Sequence, residues 1–529
     1  MLQDNLLIIL SLLFAIGMLA LLSDKLKISF PIFLVISGLV ISFIPGVPPV
    51  KLNPDLVFVI FLPPLLYSAA WNTSWAEFWQ LKRPISLLAF GLVIITATSV
   101  ALVAHWLIPE FSLALGFLLG GIISPSDAVA ATSVFQDLKA PRRVIAVLEG
   151  ESLINDASSL IVFRFALISL LTGQFIFWHA TTDFFLVVVM GIIIGLIISN
   201  IAYLIHRYLP TTPSIDTVFT LITPYLMYLT AEHFHYSGVL AVVSGGLCLS
   251  YRSSDIFAYN SRLQSLTVWT VLVFLLNGLV FILIGLQLPD IIKGIGNYSL
   301  PNVIFYAVVI SLVTIVVRLI WVFPAAFVPR LLSRKIVRKE GKLSWKIVFM
   351  IGWSGMRGVV SLASALAIPL ALTNGASFPH RSLILFITFV VILFTLILQG
   401  LSLPFVLRLM KLEFNENEPQ QEQEIRFRMA TAVVDYLESN CPKEIAEFPV
   451  FKRVKERYER MAQNADSNLK ADNETSPSFL KTYRQMLLEV IRVKREELKK
   501  MHRGKEYSDQ LIKAQERELD LEEARTRKT

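Results

Sequence analysis

The stretch LGFLLGGIISPSDAVAATSVF (115–135) is apolar over a length that can cross a bilayer, yet Ser-Pro-Ser-Asp interrupts it at the centre. A hydrocarbon core of roughly 30 Å takes about 20 mostly apolar residues in helix. Pro125 removes a backbone donor and disfavours helix at Ser124, while Gly120 and Gly121 loosen the turn before it. Asp127 follows at once. A broken helix survives in lipid only where protein covers it or a cavity reaches it. A carboxylate at that depth costs at least a few kcal/mol unless it is offset, so it marks function by default. The plainer alternative is a Pro kink with a structurally paired Asp127.

The rest of the chain places that stretch in a membrane protein. Of 529 residues, 55% are hydrophobic and only 17% charged, against about a quarter charged in ordinary soluble domains. Of the 48 Lys and Arg and 40 Asp and Glu, residues 1–411 hold 25 and 16, which leaves 23 and 24 for 412–529. The net charge of +8 thus comes from the apolar part, where short loops carry it. Nucleic acid is therefore not an expected partner, and the lipid bilayer is. Cys248 and Cys441 cannot make a disulfide framework, and no Cys/His spacing suits a metal site. Residues 1–22 lack a basic leader and a small-residue cleavage site, so a first span is expected there.

Segmentation predicts 13 spans, near 5–22, 30–46, 55–72, 84–108, 112–134, 143–172, 183–206, 216–234, 236–250, 265–289, 300–326, 343–373 and 381–410. With the N-terminus outside and the C-terminus cytoplasmic, nineteen loop and span-end Lys and Arg fall inside. Only Lys51, Lys293 and Arg381 fall outside, as the positive-inside rule demands. Trp71, Trp75 and Trp178 sit at span ends as interfacial anchors.

Polar groups concentrate in three spans. In the sixth, PRRVIAVLEGESLINDASSLIVFRFA, Ser152 and Asp156 share a face at i and i+4, with Glu149 one turn before. Glu151 and Asn155 form a second such pair on the next stripe. Hard monovalent cations are held by oxygen, so Asp156 with neighbouring hydroxyls and carbonyls makes a plausible site. Arg164 and Arg318 are expected as structural counter-charges, and Glu149, His105 and Glu232 as groups near span ends. In the twelfth, WKIVFMIGWSGMRGVVSLASALAIPLAL, Gly352, Gly355 and Gly358 bracket Arg357. Close helix packing explains small residues, but a buried Arg among glycines also suits an unwound segment whose helix ends need a charge. The Pro-broken and Gly-broken spans are each the fifth of their half in a six-one-six division. Matched interruptions of this kind point to a transporter site between inverted repeats.

Five stretches then resemble the monovalent cation:proton antiporters of the sodium/proton exchanger family, in bacterial form: FLPPLLYSAAW (61–71), SPSDAVAATSV (124–134), LEGESLINDASSL (148–160), FLLNGLVFILIGLQLP (274–289) and WSGMRGVVSLASALAIP (353–369). The resemblance implies an all-α membrane fold of two inverted six-helix repeats with two broken crossing helices, assembled as a homodimer. Residues 1–80 and 214–290 would form the scaffold, 84–172 and 300–410 an ion-carrying core, and 183–206 a linker helix. It also implies that Asp156 carries ion and proton. Asn155 and Asp156 correspond to the pair associated with electroneutral exchange. Ser126, Asp127 and Ala128 fall on the fifth-span motif, Ser152 is a coordinating hydroxyl, and Glu151 pairs with Arg357. Na+ would sit at Asp156, Asp127 and Ser152, with Pro125, Gly355, Gly358 and Arg318 in shaping roles. Two positions depart from the family pattern. Ser68 stands where an acidic residue is frequent, and Ala128 replaces a proline, with Pro125 two residues before the Asp instead.

The expected activity is exchange of Na+, with Li+ and K+ as alternatives, for H+ across a bacterial inner membrane, with no cofactor. Desolvation favours the neutral form of a carboxyl group, and a bound cation neutralises it as a proton does, so the two compete. The main alternative is the same carrier with K+ as its ion. A channel would lack the two broken spans and show a filter repeat, and a membrane enzyme would need a nucleophile, base or metal cluster that is absent from the sequence. Residues 412–529 read as a helical cytoplasmic tail with a linker at 464–478 and a partial stripe of Leu480, Met486, Leu487, Val490 and Val493. Regulatory contacts of the tail are possible.

Overall fold

A computed structural model describes residues 2–26, 28–44, 57–138, 141–172, 177–295, 298–333, 336, 343–372, 376–410, 417–470 and 477–504, with 515, 518–523 and 526. The protein is all-α. The one β-type pairing among the described residues is an isolated bridge between Ala371 and Ser377. The chain divides into two compact units, Met1–Phe414 and Asn415–Thr529.

In the first unit the helices are α1 (Leu2–Leu26), α2 (Phe30–Ser42), α3 (Leu62–Asn72), α4 (Lys82–Leu107), α5 (Leu113–Ile123), α6 (Ala128–Leu138), α7 (Arg142–Thr172) and α8 (Phe177–Tyr208). They continue as α9 (Pro213–His233), α10 (Gly238–Tyr251), α11 (Tyr259–Leu286), α12 (Leu300–Leu332), α13 (Trp345–Trp353), α14 (Val359–Leu366) and α15 (Arg381–Met410). Among the described residues, eight helical segments are long and apolar enough to cross a membrane. Every apolar segment of the sequence contains helix, but two are divided. Residues 112–134 become α5 and α6, and 343–373 become α13 and α14. Two others are short, since α2 has 13 residues and α10 has 14.

Local chemistry sets these limits. Ser112, Thr212 and Ser237 each accept a hydrogen bond from the first turn of α5, α9 and α10, satisfying amides that have no carbonyl partner there. Within α4, Leu87–Leu92 winds as π-helix, and its carbonyls serve neighbours: Ala89 accepts from Ser158 Oγ at 2.5 Å and Leu87 from Trp321 Nε1 at 3.1 Å. Small residues bring backbones together, as expected where lipid supplies no hydrophobic drive between helices. Gly38 and Gly285 let α2 lie along α11, and Gly116 and Gly120 lie on the backbone of Ala101 and Ala97.

Two apolar cores result. One joins α4, α5, α6, α12 and α15 with parts of α2 and α11. The other joins α3, α9 and α10 with α8 packed against it. Helix α7 belongs to both. Leu148 and Phe163 enter the first, while Leu153 and Ala157 enter the second. The helix carrying Asp156 is thus the seam between them.

In the second unit, α16 (Asn417–Asn440) and α17 (Pro449–Lys470) pack together, with Lys455 bridging to Glu438 at 2.7 Å, and α18 (Pro477–Gly504) follows. The expected linker at 464–478 is corrected in part. Residues 464–470 continue α17, and 471–476 lie outside the described residues. So do Lys51 and several of the inner-loop cations, Lys27, Lys139, Arg334, Lys335, Arg338, Lys339, Lys342 and Lys411. The expected stripe is corrected as well. Met486, Val490 and Val493 are exposed, and the buried face of α18 passes through Ile491.

Candidate functional site

The two interruptions meet. Helix α5 ends where Ser124 donates to Gly120 O, and Pro125 prevents its continuation. The chain restarts at Ala128. Its amide is taken by Ser152 Oγ at 3.3 Å, and the next, of Val129, by Asp127 Oδ1 at 2.8 Å. Asp127 therefore caps its own helix with one carboxylate oxygen. Its backbone amide donates to Met356 O at 2.8 Å, which ties the first break to the second. A Cβ added at Gly358 would strike the second carboxylate oxygen of Asp127, so only glycine permits this crossing. Asp127 thus lies between the N-termini of two half-helices, α6 and α14, where helix dipoles favour a negative charge.

The C-terminal ends of the opposite half-helices take the cations. Arg357 Nε donates to Ile123 O, the last carbonyl of α5, at 2.8 Å, and its Nη1 donates to Gly355 O. Its backbone amide is held by Thr395 Oγ1 at 3.1 Å. Arg318 Nη2 donates to Ile351 O in the last turn of α13 at 3.2 Å. The unwound glycine segment therefore does use its arginine at helix ends.

The expected Glu151–Arg357 pair is corrected. Glu151 is held by Arg318, with Nη1 to Oε1 at 2.5 Å and Nη2 to Oε2 at 2.9 Å, both side chains fully buried. Arg357 is drawn away by the free carbonyls of the α5 end and of its own break. Gly355 makes room for Arg318, because a Cβ there would overlap its guanidinium stem. The network continues inward. Ser126 Oγ donates to Glu151 Oε1 at 2.8 Å, and Asn155 Nδ2 donates to Ser126 Oγ at 2.8 Å. Asn155 thus braces the first break, and it is absent from the lining of the cavity described next.

Asp156 differs from all of these. It is 7% exposed, and no described residue gives its carboxylate a hydrogen bond. It borders a cavity of about 280 Å³ with Asp127, Ser126, Ser152, Glu149 and Pro125. Ser68, Asn72 and Asn277 line the same cavity from α3 and α11. These residues also line a neighbouring cavity of about 600 Å³ that reaches Trp71, Trp269 and Arg262. Asn72, Asn277, Thr132 and Ser361 also stand on this lining, and no local sequence pattern marks them. Asn277 stands inside a stretch quoted for the family resemblance, but nothing local distinguishes it. Arg164 Nη1 donates to His235 O at 3.2 Å. Glu232 instead accepts from the Gly238 amide at 3.1 Å, capping α10. No group of three or more His, Cys, Asp or Glu that could hold a metal occurs among the described residues. The oxygens at Asp156, Asp127 and Ser152 suit a hard monovalent cation.

Two broken helices crossing at an intramembrane carboxylate, with dipoles and counter-charges matched at their ends, define the class of secondary membrane carriers. Residues 8–409 match the transmembrane sodium/hydrogen exchangers, and the chain belongs to that family. It is 36% identical over 383 residues to a sodium, potassium, lithium and rubidium/H(+) antiporter of Bacillus pumilus, covering 71% of this chain and 57% of the relative. The chain thus spans little more than half the length of that relative. It is 32% identical to the low-affinity Na(+)/H(+) antiporter NhaS1 of Synechocystis, covering 75% of this chain and 72% of the relative. Its fold is similar to that of the sodium proton antiporter MjNhaP1 of Methanocaldococcus jannaschii, with a TM-score of 0.60 at 20% identity over 77% of this chain and 99% of that one.

Proposed function

We propose that this protein exchanges a monovalent cation, with Na+ first and Li+ and K+ as further candidates, for H+ across the membrane. The observation that carries the proposal is Asp156, a buried carboxylate bordering a cavity, to which no described residue offers a hydrogen bond. A proton or a dehydrated cation neutralises it equally well, and both cannot occupy it at once. If the carrier crosses only when Asp156 is neutralised, the two gradients are coupled with no other energy source. Asp127 supplies a second oxygen charge from the crossing, and Ser152 a neutral oxygen. Asn155 contributes an amide where a second acid would carry another proton, so exchange is electroneutral.

Alternation follows from the seam at α7. The core of 84–172 and 300–410 moves against the scaffold of 1–80 and 214–290, with 183–206 as the linker and the two halves related as inverted repeats. The protein works as a homodimer in the cell membrane of a bacterium, N-terminus outside and residues 412–529 in the cytoplasm. The relatives named for sodium and for several alkali cations support the substrate class. The test is the purified protein in vesicles with an acidic interior and a pH-sensitive dye, given Na+, Li+ or K+ outside. Dye recovery with Na+ that ignores a clamped membrane potential is the expected result. Recovery with none of the three cations would overturn the proposal.

A further inference from the structure

Buried hydroxyls in helices usually return a hydrogen bond to a carbonyl one turn back, and several of the membrane unit do so. Ser311, Thr314 and Thr395 donate to the carbonyl four residues before them, at 2.7 to 2.8 Å. Ser364, in the second turn of α14, donates in the same way to Val360 O at 2.7 Å. Ser361 cannot. The residues three and four before it are Gly358 and Arg357, which lie in the break, and helix begins only at Val359. It is 1% exposed, and its Oγ has no hydrogen-bond partner among the described residues. The interruption that lets Asp127 approach Gly358 thus also releases a hydroxyl from its helix.

Ser361 lines the same cavity as Asp127, Ser152 and Asp156. Thr96 and Thr388 also carry unpaired buried hydroxyls, but neither borders that cavity. A buried hydroxyl left without a partner costs free energy unless something binds it. Resting on the reading of this cavity as the cation site, we infer that Ser361 is a further ligand for the transported ion, a dehydrated monovalent cation. It supplies a neutral oxygen from the second broken helix. The ion is then held by Asp127 of the first interruption, by Ser152 and Asp156 of α7, and by Ser361 of the second interruption. The neutral oxygen adds affinity without adding a titrating group, so the number of protons exchanged stays the same. A compact hydroxyl at fixed depth also favours the smaller cations, Na+ and Li+, over K+.

The test compares Ser361→Thr with Ser361→Val, two side chains of nearly the same shape that differ in the hydroxyl. Full-length protein in vesicles is titrated with Na+, Li+ and K+ while proton movement is followed. The Thr variant is expected to keep the wild-type half-saturating concentrations within about twofold. The Val variant is expected to raise those for Na+ and Li+ by about fivefold, the size of one neutral contact. K+ should move less, and the maximal rate should hold. Equal half-saturation in both variants for every ion would overturn the inference, as would parallel loss in both, which marks Ser361 as packing only. Should the wild-type protein move protons with none of the cations, the cation-site reading itself fails and the ligand role falls with it.

Discussion

Glu151 and Asp156 stand on one helix, five residues apart and both buried, yet their surroundings are opposite. Five helical steps turn the side chain by about 140°, so the two carboxylates face different neighbours. Glu151 looks toward the crossing and is fully committed, to two guanidinium nitrogens and a hydroxyl. Asp156 borders the cavity, and no described residue gives its carboxylate a hydrogen bond. The comparison teaches that burial alone does not identify a working carboxylate. A buried charge with a donor on each of its oxygens holds a structure together. One left open beside a cavity is free to take an exchangeable partner, the role proposed for Asp156.

That contrast can be broken most directly at Asp156. Asp156→Asn is expected to abolish cation-driven proton movement in vesicles while leaving helix content and the elution profile in detergent unchanged. Persisting exchange would erase the distinction between the two carboxylates. On the other side, Arg318→Met leaves Glu151 buried without its cation, which typically costs about 3–5 kcal/mol. A marked fall in the thermal midpoint in detergent is expected, with partial recovery when Glu151→Gln is added. An unchanged midpoint would mean that the pair does not hold the crossing. Gly358→Ala pushes a methyl group onto Asp127, and strain of about 1–3 kcal/mol is expected. It should appear both as a lower midpoint and as slower exchange, because the same carboxylate caps α6 and borders the cavity. Thr395→Val removes one neutral partner of the Arg357 amide. It should lower stability by about 1 kcal/mol with the ion preference intact, as read by the same melting and transport measurements. Smallest of all, Lys455→Ala in the tail breaks an exposed pair with Glu438, and melting curves of the full chain should not distinguish it from wild type.

Much of the candidate site is legible in the sequence. Asp127 stood beside a proline in a run too apolar to hold it by accident, and Asp156 shared a helical face with Ser152. Both signals depend on short sequence distances and on the cost of charge in lipid, and both survive in the structure. The partner of Glu151 was not legible. Arg318 and Arg357 are both buried cations in apolar spans, and choosing between them requires knowing which carbonyls the broken helices leave open. Asn155 shows the same limit, since its residue type suits the cavity but its amide braces Ser126 instead. Asn277 and Ser361 come from distant helices, and only packing brings them to the carboxylates.

The sequence by itself determined the all-α membrane character, the two interruptions and the acids beside them. Each follows from local rules: apolar length, the missing donor of proline, and the expense of an intramembrane charge. Only the tertiary structure decided that the breaks cross through Asp127 and Met356, that Glu151 belongs to Arg318, and that Asp156 is left open to the cavity. Those outcomes depend on which half-helix ends face one another and compete for the same donors. That competition is between residues up to a few hundred positions apart, so no local pattern encodes it.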